Sequence, residues 1–159
     1  MKTTTLISVF FLLFNLAAEA QKTSPVEKFE GRGNYNAQLV LDYSYQNLDK
    51  IPISADNPQV QTLILDNNKL TKLPNWIHDL SKLKILSVRN NDLHEITSLL
   101  GRCTNLEQLY LSGNPNLKDL PDLSACKKLQ LIDVVGTGIH DIPAGVHMMD
   151  NLYYFKYNK

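Results

Sequence analysis

A leucine pattern with a fixed asparagine recurs along most of the chain and constrains its fold more than any other feature. Residues 62–74, TLILDNNKLTKLP, place leucines at 63, 65, 70 and 73 around Asn68. The equivalents of Leu63 follow at intervals of 23 residues and are Leu86, Leu109, Ile132 and Phe155. Upstream, Leu41 begins a copy of 22 residues. A constant interval of this size predicts stacked turns, because one turn cannot bury its apolar side alone.

The repeat resembles the leucine-rich repeat, LxxLxLxxNxL, in the 23-residue form that continues as LPxxIxxLxxL. Residues 73–83, LPNWIHDLSKL, match that continuation, and the resemblance covers residues 38–159. It implies an α/β solenoid, a leucine-rich repeat horseshoe with a parallel concave β-sheet. The solenoid would contain about five full repeats plus a terminal strand. The two outer residues of each Leu-x-Leu would point into the core, since side chains alternate along a strand.

An asparagine occupies the same place in three repeats, at Asn68, Asn91 and Asn114. At this place, the arch, the backbone leaves the strand, and a buried amide can both donate and accept hydrogen bonds there. We therefore predict a ladder of hydrogen bonds between successive turns. Gln46 and Thr137 stand in the first and fifth copies, which predicts a weaker ladder at both ends.

The strand residues that face away from the predicted core form three rows. The rows are Val40, Thr62, Ile85, Gln108, Leu131 and Tyr154; then Asp42, Ile64, Ser87, Tyr110, Asp133 and Lys156; then Ser44, Asp66, Arg89, Ser112, Val135 and Asn158. Apolar residues on a solvent-facing surface indicate a binding site, although strands also favour such residues without any partner. The candidate binding residues are Ile64, Ile85, Arg89, Tyr110, Leu131 and Tyr154, with Arg89 and Tyr110 near the centre.

The first 20 residues have the pattern of a signal peptide. Lys2 precedes an apolar run from Leu6 to Ala18, and Ala18-Glu19-Ala20 is a small-x-small cleavage site. The run is short for a membrane span, which needs roughly 20 residues, and an uncleaved anchor is the alternative. Residues 21–36 are polar and predict a flexible lead-in, so the repeat domain is residues 37–159. We expect a periplasmic or secreted protein, cleaved near Ala20, with no further membrane span.

Charge and motifs argue against several classes of function. The chain has 16 Lys and Arg against 16 Asp and Glu, with no basic cluster, so nucleic acid is not an expected partner. The sequence shows no phosphate-binding loop, serine-hydrolase elbow or zinc motif. Its four histidines are dispersed along the chain. We therefore expect no catalysis, no cofactor and no metal site.

Cys103 and Cys126 are also 23 residues apart and align with Leu80 and Met149 in the apolar row of the return segments. One interpretation is a pair of buried, stacked thiols that act as small apolar groups. The other is a disulfide between neighbouring turns, which an exported chain permits. A catalytic thiol is disfavoured because no histidine shares its neighbourhood in the repeat frame.

The family resemblance implies a non-catalytic protein- or peptide-binding module that uses its concave face. A glycan-binding cell-surface adhesin is the alternative, yet only Tyr110 and Tyr154 would supply exposed aromatic rings there. A homodimer through the edge of the terminal strand is a further hypothesis, with Tyr153, Phe155 and Tyr157 at that edge. The cysteine-bounded caps of many animal extracellular relatives are absent, which favours a small exported bacterial member.

Overall fold

A computed structural model describes residues 39–52, 58–143 and 145–157 of the chain. The predicted signal peptide and lead-in lie outside the described residues. Six short strands pair side by side, in chain order, into one parallel sheet. They are β1 (Leu39–Asp42), β2 (Val60–Ile64), β3 (Ile85–Ser87), β4 (Gln108–Tyr110), β5 (Leu131–Asp133) and β6 (Tyr154–Lys156). We number the six turns of the solenoid after these strands.

The register of the sheet follows the sequence interval. Leu63 pairs with Leu86, Leu86 with Leu109, and Leu109 with Ile132, so equivalent residues of successive turns stack. All four of these side chains are fully buried. The interval therefore places one continuous column of apolar side chains behind the sheet, as a leucine-rich repeat solenoid requires.

The return segments that close the turns are 3₁₀ helices or simple turns. The 3₁₀ helices in the described residues are Asn75–Asp79, Ser98–Arg102 and Val146–Met148. In turn 2, Leu80 N–H donates to the Ile77 carbonyl and Leu83 N–H donates to the Leu80 carbonyl. The helical part of this α/β solenoid is thus 3₁₀, because a 23-residue turn leaves room for only a short helical piece.

A left-handed backbone conformation recurs at the arch of turns 1 to 5. The residues that adopt it at equivalent positions are Tyr45, Asn67, Asn90, Gly113 and Gly136, and turn 1 has a second one, Asn47; all have φ between 51° and 74°. This conformation keeps the arch bonded to the next turn, since Asn90 N–H donates to the Ser112 carbonyl (2.9 Å) and Gly113 N–H donates to the Val135 carbonyl (2.8 Å). Asn and Gly suit this position because they tolerate positive φ at little cost.

Replacing Gly113 by alanine is expected to lower the free energy of unfolding by about 1 to 2 kcal/mol, the cost of a left-handed conformation for a residue with a Cβ. The new Cβ would also collide with Asn90 Oδ1. Gly145→Ala is the matched control, because Gly145 has φ of −65° and its nearest neighbour to a Cβ is Asp122 Oδ1 at 3.9 Å. Urea melts measure both variants, and equal losses would contradict the role given to the arch.

No helix in the described residues is both long and apolar enough to cross a membrane.

Candidate functional site on the concave face

The outward-facing side chains of the six strands form one surface, which we call the concave face. The strand register places Val40, Thr62, Ile85, Gln108, Leu131 and Tyr154 in one continuous row across it. Three of the six candidate binding residues, Ile85, Leu131 and Tyr154, lie in this row, Ile64 and Tyr110 lie in the neighbouring row, and Arg89 contacts Tyr110. Ile64, Ile85, Tyr110 and Leu131 are half-buried, while Tyr154 is 62% exposed.

Arg89 and Tyr110 stack upon each other at the centre of the concave face. The guanidinium carbon of Arg89 lies 4.0 Å from the centroid of the Tyr110 ring, which is a cation–π contact. Tyr110 is itself fixed, since its hydroxyl donates to Gln108 Oε1 at 2.8 Å. Burial raises the pKa of Tyr110, so its phenol is neutral at physiological pH. The pair presents a rigid, amphipathic surface whose geometry is set before any partner arrives.

The guanidinium of Arg89 has unused hydrogen-bonding capacity. Its nearest carboxylate is that of Asp133, with Arg89 Nη2 and Asp133 Oδ2 3.9 Å apart, which is too long for a hydrogen bond. Within the described part of the chain no side chain or carbonyl accepts a hydrogen bond from this group. The Arg89 side chain is 27% exposed, so its donors face solvent and are available to a ligand.

Four residues expected to face solvent on the concave face are instead buried, and the expectation was wrong for them. They are Thr62, Asp66, Ser87 and Asp133. Ser87 Oγ donates to Asp66 Oδ1 at 2.6 Å, and the Arg89 backbone N–H donates to the same oxygen at 2.9 Å. Asp133 Oδ1 accepts a hydrogen bond from Val135 N–H at 3.3 Å, so the two buried carboxylates each have a backbone donor.

The buried carboxylate of Asp66 shows the electrostatic character of this layer. Burial raises the pKa of Asp66 above its usual value, while the hydrogen bonds from Ser87 and Arg89 and the charge of Arg89 oppose the rise. Asp133 is also largely covered, with a side chain that is 12% exposed. In the central and C-terminal part of the face, the anionic groups are therefore buried and the cations Arg89 and Lys156 are the more accessible charges.

Asn91 makes four hydrogen bonds, two of them to the backbone of turn 2 and two within its own turn 3. Its Nδ2 donates to the carbonyls of Leu65 (3.0 Å), Val88 (3.1 Å) and Arg89 (3.0 Å), and its Oδ1 accepts from Leu70 N–H (3.0 Å). The side chain is only 7% exposed. Its amide therefore joins the backbones of two turns.

The other two asparagines of the predicted ladder make equivalent bonds. Asn68 Nδ2 donates to the Tyr43 carbonyl of turn 1 and Asn114 Nδ2 donates to the Val88 carbonyl of turn 3. In each case the amide reaches the backbone of the preceding turn. Thr137, which stands in the fifth copy, donates from its hydroxyl to the Val134 carbonyl of its own turn at 2.7 Å.

A second ladder runs along the exposed loops that lead into the strands. Its members occur every 23 residues and are Gln59, Lys82, Asn105, Lys128 and Asn151. Lys82 Nζ donates to Gln59 Oε1 and Lys128 Nζ donates to Asn105 Oδ1, both at 2.7 Å. Sequence reasoning missed this ladder, although the interval between its polar residues was a usable signal.

Cys103 and Cys126 are free, buried thiols. The Cys103 Sγ donates to the Ile77 carbonyl at 3.6 Å, and the Cys126 Sγ donates to the Gly101 carbonyl at 3.5 Å. Burial raises the pKa of Cys103 to about 12, with the nearby Cys126 adding to the effect. Burial likewise raises the pKa of Cys126 to about 11. The structure therefore has two free thiols, and the choice between stacked thiols and a disulfide stays a prediction.

The end of the sheet at β6 carries exposed aromatic side chains. Tyr153 and Tyr154 are exposed, and the ring of Phe155 packs 5.7 Å from that of Tyr157. Dimerisation through this edge stays a prediction.

Among the described residues no three His, Cys, Asp or Glu side chains are grouped closely enough to hold a metal ion.

Comparisons with known proteins agree with this geometry. Residues 59–80 match the family model described as Leucine Rich Repeat, and residues 81–125 match the model described as Leucine Rich repeats (2 copies). A putative disease resistance protein of Arabidopsis thaliana is 33% identical over 117 residues, which is 73% of this chain and 13% of that protein. The chain thus spans a small part of this curated relative.

Two solved structures share the architecture. A leucine-rich repeat protein of Leptospira interrogans superposes with a TM-score of 0.65 at 25% identity, covering 77% of this chain and 37% of that one. The leucine-rich repeat ectodomain of the receptor kinase SOBIR1 from Arabidopsis thaliana gives a TM-score of 0.58 at 25% identity, covering 76% of this chain and 70% of that one.

Proposed function

Because this chain is a leucine-rich repeat protein, we propose that it binds a protein or peptide partner through the concave face. Solenoids of this kind use their extended concave surface for recognition. The observation that carries the proposal is the Arg89–Tyr110 pair, stacked at 4.0 Å in the middle of that face with the guanidinium donors unused. Arg and Tyr are the residue types that most often dominate the energy of a protein interface.

The surroundings of the pair fit a protein interface. Half-buried Ile64 and Ile85 lie on one side of it and half-buried Leu131 lies on the other. Apolar contacts around a central Arg and Tyr exclude water from the strongest interactions, which is the usual arrangement of an interface hot spot. Gln108 holds the Tyr110 ring in place through its hydrogen bond, so little side-chain entropy is lost on binding.

The size of the face limits the interaction. Six strands at about 4.8 Å spacing make a surface roughly 25 Å across. A standard interface takes about 800 Å² from each partner, more than this short sheet offers alone. Exposed residues at the arches, Tyr45 and Val135, extend the surface on one side. We therefore expect a peptide-like partner, or a folded partner that also contacts the arches.

The glycan alternative has less support from the site. Sugar rings stack on the open faces of aromatic side chains, and the Tyr110 ring is covered on one face by Arg89. Tyr154 is then the one exposed aromatic ring left on the six strands within the described residues, with Tyr45 exposed at the arch of turn 1. A single ring of this kind favours a protein or peptide over a glycan as the partner.

Capture from an extract of the source cells tests the proposal. The full chain is compared with the double variant Tyr110→Ala, Arg89→Glu, and with Arg102→Glu, which changes an exposed residue of a return segment. We expect a retained protein to bind the double variant at least about 30-fold more weakly, the equivalent of about 2 kcal/mol. The control should bind like the parent chain. Equal affinity for all three chains would place the binding site elsewhere.

We also propose that the protein is exported, with cleavage near Ala20. The support is the apolar run before Ala18-Glu19-Ala20 and the likeness to a receptor-kinase ectodomain. Residues 1–20 lie outside the described residues, so this proposal rests on the sequence pattern.

A further inference from the structure

From β1 to β5 the first row of the concave face alternates between apolar and polar residues, before it ends at Tyr154 on β6, and this alternation restricts the shape of a partner. Apolar Val40, Ile85 and Leu131 come from β1, β3 and β5, and they alternate with Thr62 and Gln108 from the strands between. Val40 is exposed, and the other two apolar side chains are half-buried but accessible. In the first row, from β1 to β5, accessible apolar groups therefore recur every second strand, at a separation of about 9.6 Å.

That separation matches a helix and not an extended chain. Residues seven apart on an α-helix lie on one side of it and are about 10.5 Å apart. Same-side residues of an extended chain are about 6.8 Å apart, or about 13.5 Å at the next step. The spacing of same-side residues on a helix differs from the spacing of the apolar sites by about 1 Å. The spacing along an extended chain differs from it by about 3 Å or more. Three helix residues that follow one another at intervals of seven span about 21 Å, which is close to the width of the face.

The charge at the centre of the face restricts the partner's chemistry. Arg89 follows β3, the strand of Ile85, and its guanidinium lies over the ring of Tyr110 on β4, the strand between those of Ile85 and Leu131. Its donors are unused, its nearest carboxylate is 3.9 Å away, and the more accessible charges here are cationic. A carboxylate would accept two parallel hydrogen bonds from such a guanidinium, the strongest polar contact that the site offers.

We propose that the concave face binds an amphipathic helix with apolar residues at positions i, i+7 and i+14 and an acidic residue at i+10 or i+11. The three apolar residues would contact Val40, Ile85 and Leu131. The acidic residue, three or four positions after the second apolar residue, lies on the same side of the helix and above Arg89. This inference rests on the proposed function and adds the class of ligand to it.

A displayed library of random 18-residue peptides tests the inference. The library is selected on the full chain, and enriched peptides are synthesised and titrated by fluorescence anisotropy. We expect enriched sequences to carry apolar residues seven apart with Asp or Glu between them, and to bind the Arg89→Gln variant at least tenfold more weakly. The matched variant Arg102→Gln should bind them like the parent chain, and unchanged thermal melts confirm that both variants are folded.

The failure of this inference is distinguishable from the failure of the proposed function. Enriched peptides with alternating apolar residues, or peptides that bind Arg89→Gln normally, would overturn the acidic helix. Failure to enrich any peptide would overturn it too. A cellular protein that is captured by the parent chain but lost with the Tyr110→Ala, Arg89→Glu variant would still support binding through the concave face.

Discussion

Replacing Asn91 by leucine is expected to lower the free energy of unfolding by about 3 to 5 kcal/mol. The change removes four hydrogen bonds, two of them between turns 2 and 3 and two within turn 3. Among the described residues Leu70 N–H has no other acceptor, so it would be left buried and unpaired. Such a group costs about 1 to 3 kcal/mol by itself, and the lost bonds account for the rest.

The three carbonyls that Asn91 binds are better protected than the Leu70 N–H. The Leu65 carbonyl also accepts from Asn68, and the Val88 carbonyl also accepts from Asn114. The Arg89 carbonyl accepts from the backbone N–H of Asn67 in the same way. Each of these carbonyls therefore accepts from more than one turn. Removing the amide at position 91 weakens the stacking of the turns, but each carbonyl keeps another hydrogen-bond donor.

Urea melts of the full chain measure the Asn91 effect against a surface control. Asn90→Leu is an impure control, because Asn90 has a φ of 51° and leucine there would add backbone strain. Asn116 is cleaner: it is exposed, and its Nδ2 donates to Asp92 Oδ1 at the surface. Asn116→Leu should change stability by less than about 0.5 kcal/mol. Similar losses for Asn91→Leu and Asn116→Leu would refute the ladder's role.

A milder substitution keeps the test informative if Asn91→Leu fails to fold. Asn91→Thr imitates the fifth copy, where the hydroxyl of Thr137 donates to the Val134 carbonyl and accepts from Ile139 N–H. A hydroxyl at position 91 cannot replace all the bonds of an amide, since it has one donor. We expect a loss about half that of Asn91→Leu, and no measurable loss would contradict the ladder.

The fold was predictable from sequence because the repeat interval fixes the register. Once Leu63, Leu86 and Leu109 are known to be equivalent, parallel pairing places them in one buried column, and the alternation of a strand assigns the opposite face. The same logic placed Arg89 and Tyr110 near the centre of the concave face. The repeat interval and the alternation of side chains along a strand are properties of the backbone. They can therefore be predicted without knowing any side-chain conformation.

What could not be predicted depends on the length and direction of individual side chains. Alternation puts Asp66 and Ser87 on the outward side, but it does not show that larger neighbours would cover them. Nor does it show that Arg89 turns toward the next strand and stacks on Tyr110 while leaving Asp133 at 3.9 Å. The free state of Cys103 and Cys126 also depends on local geometry, because their equivalence in the repeat fits both interpretations.

The two cysteines are expected to be almost inert in the native protein. Burial raises the pKa of Cys103 from 9.0 to about 12 and that of Cys126 to about 11. The thiolate is the reactive form, and each unit lowers its fraction tenfold, so at pH 8 the rate falls on the order of a thousandfold for Cys103 and a hundredfold for Cys126. In an oxidising compartment this protection would keep both thiols free.

A colorimetric disulfide reagent at pH 8 measures the reactivity of both thiols. Native protein should react slowly, and protein unfolded in guanidinium without reductant should release two equivalents at the rate of a free cysteine. Lys118→Cys, at an exposed position after the arch of turn 4, supplies a fast-reacting internal reference in the native state. Rapid native reaction of Cys103 or Cys126 would show that burial does not protect them. An unfolded chain without reactive thiols would show a disulfide, and the stacking of turns 3 and 4 would then include a covalent link.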